Sequence, residues 1–116
     1  MKIELSISSI AVLDAILSGV EGGIQYWAAV AAFSIPDRTA NREIGSATDT
    51  DLHLICDLIE RESGERFSLQ GKWGGALRLM AERCPKMFGD LMARTGDAST
   101  GDVLIQLATF GELRYR

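Results

Sequence analysis

The chain has 116 residues, of which 47% are apolar and 24% charged. That length fits one domain spanning residues 1–116, and the composition excludes disordered and fibrous classes. Twelve Lys/Arg against sixteen Asp/Glu leave a net charge of −4, opposite in sign to a nucleic-acid-binding surface, so no direct nucleic-acid partner is expected.

Lys2 to Ile7 alternates, with Ile3, Leu5 and Ile7 on one face, and predicts a short strand. Ser8 or Ser9 can cap the next element, a helix with Ile10, Leu13, Ile16 and Leu17 on one stripe, ended by Gly19, Gly22 and Gly23. Ile24 to Phe33 reads as a strand; a helix continuing through Trp27 is the competing reading, because alanine favours it. Ser34 to Thr50 has the composition of a long loop and contains Pro36, Arg38 and Arg42. Leu52 to Glu60 fits both periods, and a hairpin through Glu62-Ser63-Gly64-Glu65 to a returning strand at Arg66–Leu69 is favoured over a helix. Lys72 to Arg83 predicts a helix burying Trp73, Ala76, Leu77 and Met80, stopped by Cys84-Pro85. Lys86 to Arg94 predicts a second helix, with Met87, Phe88, Leu91 and Met92 apolar. After a turn at Thr95–Gly101, Thr100 or Asp102 caps a last helix carrying Val103, Leu104, Leu107, Ala108 and Phe110, which Gly111 ends.

The expected class is α+β: a small antiparallel sheet, built from the N-terminal strand, Ile24–Phe33 and the hairpin, packed against three or four helices. Helices cover one face. The other face is solvated, ligand-lined or paired with a second copy, and the open edges make a homo-oligomer the expected state. The longest apolar stretch, Tyr26 to Phe33, has eight residues, well short of the roughly 18–20 that span a bilayer. Met1-Lys2-Ile3-Glu4-Leu5 does not resemble a secretory signal. A protein of the cytoplasm, without a membrane partner, is expected. Cys56 and Cys84 lie 28 apart with no paired spacing, so two reduced, half-buried thiols are expected rather than a disulfide.

None of the standard phosphate-binding, nucleophile or metal-binding patterns is complete in the sequence. Six residues separate Gly64 from Gly71-Lys72, and Trp73 stands where a phosphate loop needs Ser or Thr. His53 is the only histidine and sits in an apolar segment, so a base-activated nucleophile has no base and zinc has too few ligands. Asp49-Thr50-Asp51 and Asp97 to Asp102 lack calcium-loop spacing. Glu60 and Glu62, beside Arg61 and Arg66, read as a solvated turn. Neither an enzyme, a metal nor a cofactor is expected.

Three segments stand above this background. Val20-Glu21-Gly22-Gly23-Ile24-Gln25-Tyr26-Trp27 combines glycines that permit close backbone approach with an acid and two rings that can stack on a planar ligand; the alternative is a turn whose rings enter the core. Gly96-Asp97-Ala98-Ser99-Thr100-Gly101-Asp102 precedes a helix N-terminus, where anion binding competes with self-capping. Phe110-Gly111-Glu112-Leu113-Arg114-Tyr115-Arg116 places two arginines astride a tyrosine, a grip for phosphate or carboxylate or else a solvated terminus.

In these three segments, in this order, the chain resembles a family of small bacteriophage and prophage proteins. That family carries Leu/Val-Glu-Gly-Gly-x-x-Tyr-Trp, then Asp-Ala-x-Thr-x-Asp, then Phe-Gly-Glu-x-x-Tyr/Phe. The departures here are Gly101, where alanine is usual, and Arg116, where glycine is usual. The family is mostly of uncharacterised function, so the resemblance implies a phage origin more than a mechanism. A phage accessory protein of this size is often a stoichiometric inhibitor of a host defence, acting in the host cytoplasm, and that is the expectation here. One form sequesters a nucleotide second messenger, a cyclic nucleotide or ADP-ribose-type molecule, between subunits. Its candidate binding residues are Glu21, Gly22, Gly23, Tyr26, Trp27, Arg42, Arg78, Asp97, Thr100 and Arg114. A second form is an anti-CRISPR-type inhibitor that blocks a host defence protein, with Trp27 in the core and Asp37, Glu43 and Glu60 exposed for binding. A third is a structural or assembly component of the phage.

Overall fold

Cys56, Leu58 and Glu60 are buried while Ile55, Asp57 and Ile59 are less so, and this period of two makes the ambiguous stretch a strand, Ile55–Glu60. The computed structural model describes residues 7–34, 43–44, 54–93 and 95–115. Its elements are β1 (Ile7–Ser8), α1 (Ser9–Ser18), a π-helical turn (Gly19–Gly23), β2 (Ala28–Ser34), β3 (Glu43–Ile44), β4 (Ile55–Glu60), β5 (Arg66–Ser68), α2 (Trp73–Arg83), α3 (Pro85–Met92) and α4 (Ala98–Phe110). The fold is α+β, with a three-stranded antiparallel sheet in the order β2-β4-β5. A bulge between Val30 and Ala32 bends β2. Among the described residues no helix is long and apolar enough to cross a membrane.

The expected N-terminal strand does not join this sheet. Ile7 and Ser8, its described end, pair with Ile44 and Glu43 in a separate two-stranded ladder. β3 therefore lies inside the expected loop; the remainder of that loop past Ser34, with Arg38 and Arg42, and His53 beyond it fall outside the described residues. The hairpin is as expected. Gly64, at φ 76, makes its tight turn, and Glu60 N–H reaches the Glu65 carbonyl at 2.9 Å.

The glycines after α1 do not end it. The chain widens into the π turn, closed by Ile24 N–H on the Gly19 carbonyl at 2.9 Å, and continues as a turn to Trp27. The second strand accordingly starts at Ala28, not Ile24. The cause is contact with α4. A Cβ on Gly23 would lie 2.3 Å from the Ala98 carbonyl oxygen, and one on Gly101 would lie 2.2 Å from that of Ala15. The buried stripe of α1 is likewise Ala11, Val12, Ala15 and Ile16, rotated from the expected one so that its small residues face α4; Leu13 is only partly buried.

α2 buries the expected Trp73, Ala76, Leu77 and Met80. Pro85 occupies the first turn of α3, where its missing N–H costs nothing. α3 buries Phe88 and Leu91 but leaves Met92 41% exposed, against expectation. α4 is capped by Asp97, whose carboxylate accepts from Ser99 N at 2.9 Å and Thr100 N at 3.3 Å, rather than by Thr100 or Asp102. Gly111, left-handed at φ 71, ends it as expected. Cys56 is buried and Cys84 half-buried, and both are free thiols.

Gly101→Ala is expected to destabilise the protein by about 3 kcal/mol, because backbone on both sides cannot yield. Gly75→Ala, with nothing within 4 Å of the added carbon, is expected to stabilise by up to ~1 kcal/mol. Urea denaturation of both variants checks the pair.

Candidate functional site

The close approach of α4 to the π turn delivers Asp102 beside the two rings that follow that turn. Tyr26 Oη donates to Asp102 Oδ2 at 2.7 Å, and Trp27 Nε1 donates to Oδ1 at 2.8 Å. One helical turn on, Gln106 Nε2 donates to the same Oδ1 at 3.0 Å. Gln106 is 1% exposed, and its amide holds the C-terminal tail. Its Oε1 accepts the N–H of Arg114 and of Tyr115, both at 2.9 Å, and its Nε2 reaches the Tyr115 carbonyl at 3.1 Å.

The tail places the Tyr115 ring against the Trp27 indole, centroids 5.3 Å apart and planes within 9°. Tyr26 meets the Tyr115 ring edge-on at 84°, and Phe110 lies 5.3 Å from Trp27. The Arg114 side chain is 49% exposed but lies along the protein's own surface. Its guanidinium lies 4.3 Å from the Phe110 ring centroid and its Nε donates to Glu112 at 3.3 Å.

At the far end of the Tyr115 ring is a carboxylate. Tyr115 Oη donates to Glu60 Oε2 at 2.5 Å, and Ser63 Oγ donates to Oε1 at 2.6 Å. Glu60 is buried at 7% exposure, so the expected solvated pair is divided: Glu62 is exposed, and Glu60 lies on the core face of β4. The Ser63 hydroxyl first, then the Tyr115 hydroxyl, hold the Glu60 carboxyl below its ordinary 4.5 against the opposing effect of burial. The Tyr115 phenol is pushed up to about 12, chiefly by its bond to Glu60. Burial and the Asp102 carboxylate push Tyr26 up to about 12.

The structure therefore brings the three segments singled out in the sequence into one cluster, but by bonds to one another. Of the candidate binding residues, Tyr26, Trp27 and Arg114 belong to it. Trp27 is 2% exposed and Tyr26 52%. Glu21 and Gly22 are exposed beside it, and Gly23 packs on Ala98. Asp97 is the α4 cap, Thr100 is buried, and Arg78 is exposed on α2. Arg42, Asp37 and the Glu43 side chain lie outside the described residues. A cavity of about 40 Å³ between α1, α3 and α4, lined by Asp14, Ser18 and Thr100 among others, is far smaller than the roughly 300 Å³ or more of a small-molecule site. Among the described residues no group of three or more His, Cys, Asp or Glu could hold a metal ion.

Sequence reasoning missed Gln106 and the burial of Glu60. Signals existed for both. Gln106 is a polar residue inside the apolar run of α4, four after Asp102, and Glu60 shares the period of two with Cys56 and Leu58. No protein-family model, curated protein or solved structure matches this chain.

The chain's two tyrosines both have raised folded values, so the stability they contribute is full below pH 10.0 and is lost as pH rises towards about 12. Ultraviolet titration of the native protein should show no tyrosinate step at pH 10.0, while the chain in guanidinium should show one. Glu60 has the opposite sign: its contribution is present above pH 4.5 and is lost as pH falls through the lowered folded value. Below pH 4.5 the melting temperature should fall more steeply in the wild type than in Glu60→Gln.

Proposed function

We propose that this chain is a non-catalytic binding protein that acts by covering a surface of another protein, as a stoichiometric inhibitor of a host defence component would. The observation that supports this reading is the placement of Trp27. It is 2% exposed, bonded to Asp102 and covered by Tyr115. It is a core residue, and a base stacking on it would have to displace the tail. Two side chains left outward around this cluster, Tyr26 and Arg114, are of the kinds enriched at interface hot spots. Tyr26 is 52% exposed yet fixed by Asp102, and Arg114 is exposed beside Leu113, an apolar side chain 45% exposed. Exposed Glu62 and Glu112 share this side with exposed Arg61, Arg83 and Arg114, so the rim is polar and mixed in charge. Glu60, expected to carry binding in this form, is buried and takes no part.

Trp27→Ala should lower stability by about 3–5 kcal/mol, enough to unfold much of a domain this size. Leu113→Asp and Arg114→Ala should melt near the wild type but lose protection of phage plating on a defended host, together with capture of the defence component. The alternative is visible in thermal denaturation against cyclic nucleotides and ADP-ribose derivatives. A ligand at about 100 times its Kd adds roughly 2.7 kcal/mol. A rise of several degrees with one compound would replace the surface-covering reading by messenger sequestration.

A further inference from the structure

Gln106 holds the tail as one extended peptide holds another. Its buried amide meets the N–H of Arg114 and Tyr115 and the carbonyl of Tyr115, at 2.9, 2.9 and 3.1 Å. The ring is read separately, by the Trp27 face, the Tyr26 edge and the Glu60 carboxylate at its hydroxyl. Backbone and side chain are thus recognised by different groups. That arrangement suits a peptide; a nucleobase has no backbone to satisfy Gln106 while its ring fills the slot.

The occupant is joined to the body at one point. Gly111 turns the chain back at φ 71, a conformation open to glycine and disfavoured for L residues. Beyond it residues 112–115 have no regular secondary structure. Among the described residues they make no backbone–backbone hydrogen bond. They are seated by the slot, by the contacts of Arg114 and by the Phe110 ring against Tyr115, and Arg83 Nη1 donates to the Gly111 carbonyl at the joint at 3.1 Å.

We propose that the slot formed by Gln106, Trp27 and Glu60 is a recognition site for a tyrosine-bearing peptide, filled in cis by the chain's own tail and in trans by the tail of a second copy. Two copies exchange residues 112–115 when Gly111 leaves the left-handed region for an extended one. The freed tail then spans at most about 14 Å. Each slot makes the same bonds before and after exchange, so the balance rests on the Gly111 joint and on protein concentration. The exchange goes beyond the surface-covering function and does not depend on it.

The joint supplies the test. An L residue in the left-handed conformation is disfavoured about five- to thirtyfold, whereas the extended joint accepts it. Sedimentation velocity of the full chain should show at least a roughly fivefold higher dimer fraction for Gly111→Ala than for the wild type. Adding Tyr115→Ala should abolish that dimer. Should the double variant fail to fold, the Gly111→Ala dimer is instead challenged with a free peptide of residues 111–116. That peptide should return it to monomer, and the same peptide with alanine for tyrosine should not. A Gly111→Ala protein as monomeric as the wild type, or a dimer indifferent to loss of the tyrosine or to the peptide, would overturn the proposal.

Discussion

The backbones of α1 and α4 touch, and the geometry of the tail side of the molecule follows from that contact. An added carbon on Gly101 would sit 2.2 Å from the Ala15 carbonyl and 2.7 Å from the Gly19 Cα, so only glycine permits the helices to lie this close. Asp102 follows Gly101 directly. Its carboxylate is carried to the end of the π turn, where the indole and phenol of Trp27 and Tyr26 both find it. Gln106, a turn further, faces the returning tail. A hydrogen atom in place of a methyl group at position 101 thus sets where a polar network forms between Asp102 and Gln106 on α4 and the two rings beyond the π turn.

That network resolves a problem created by burial. Gln106 and Glu60 are 1% and 7% exposed, and a polar group taken from water without partners costs several kcal/mol on the scale of about 1–3 kcal/mol per unmet bond. Here both Gln106 amide atoms are bonded, and both Glu60 oxygens accept. Each element alone would leave orphans: β4 would bury an unmet carboxylate, and α4 an unmet amide. Only the assembled set of strand, helix and tail satisfies them, which ties the conformation of the C-terminus to the correct packing of the sheet.

Much of the fold was legible because its signals are local. Pro85 separating two helices, the Gly111 stop, the apolar face of α2 and the turn between β4 and β5 each depend on a few neighbouring residues. What was not legible depends on contacts distant in sequence. Gly22 and Gly23 have the look of a helix end, but the π turn they form is imposed by Ala98. β1 pairs with a segment 36 positions away, Ile7 with Ile44 being 37 apart and Ser8 with Glu43 being 35 apart, and nothing near Lys2–Ile7 announces that partner. The candidate site was legible as three segments and not as a geometry. Residue type marks Tyr26, Trp27 and Tyr115 as able to stack, but which ring covers which depends on Gln106, whose role appears only once the tail is seen to fold back.

The π turn also sets how the chain tolerates a change in length. A π turn is an α-helix carrying one residue too many. Removing one residue between Gly19 and Gly23 would let an ordinary helix form in its place. Five residues of the wider turn and four of the ordinary one carry the chain through about the same rotation and rise, so Trp27 would stay beside Asp102 and Ala28 opposite Glu60. Homologous chains that keep this architecture should therefore tolerate one residue fewer between α1 and Trp27.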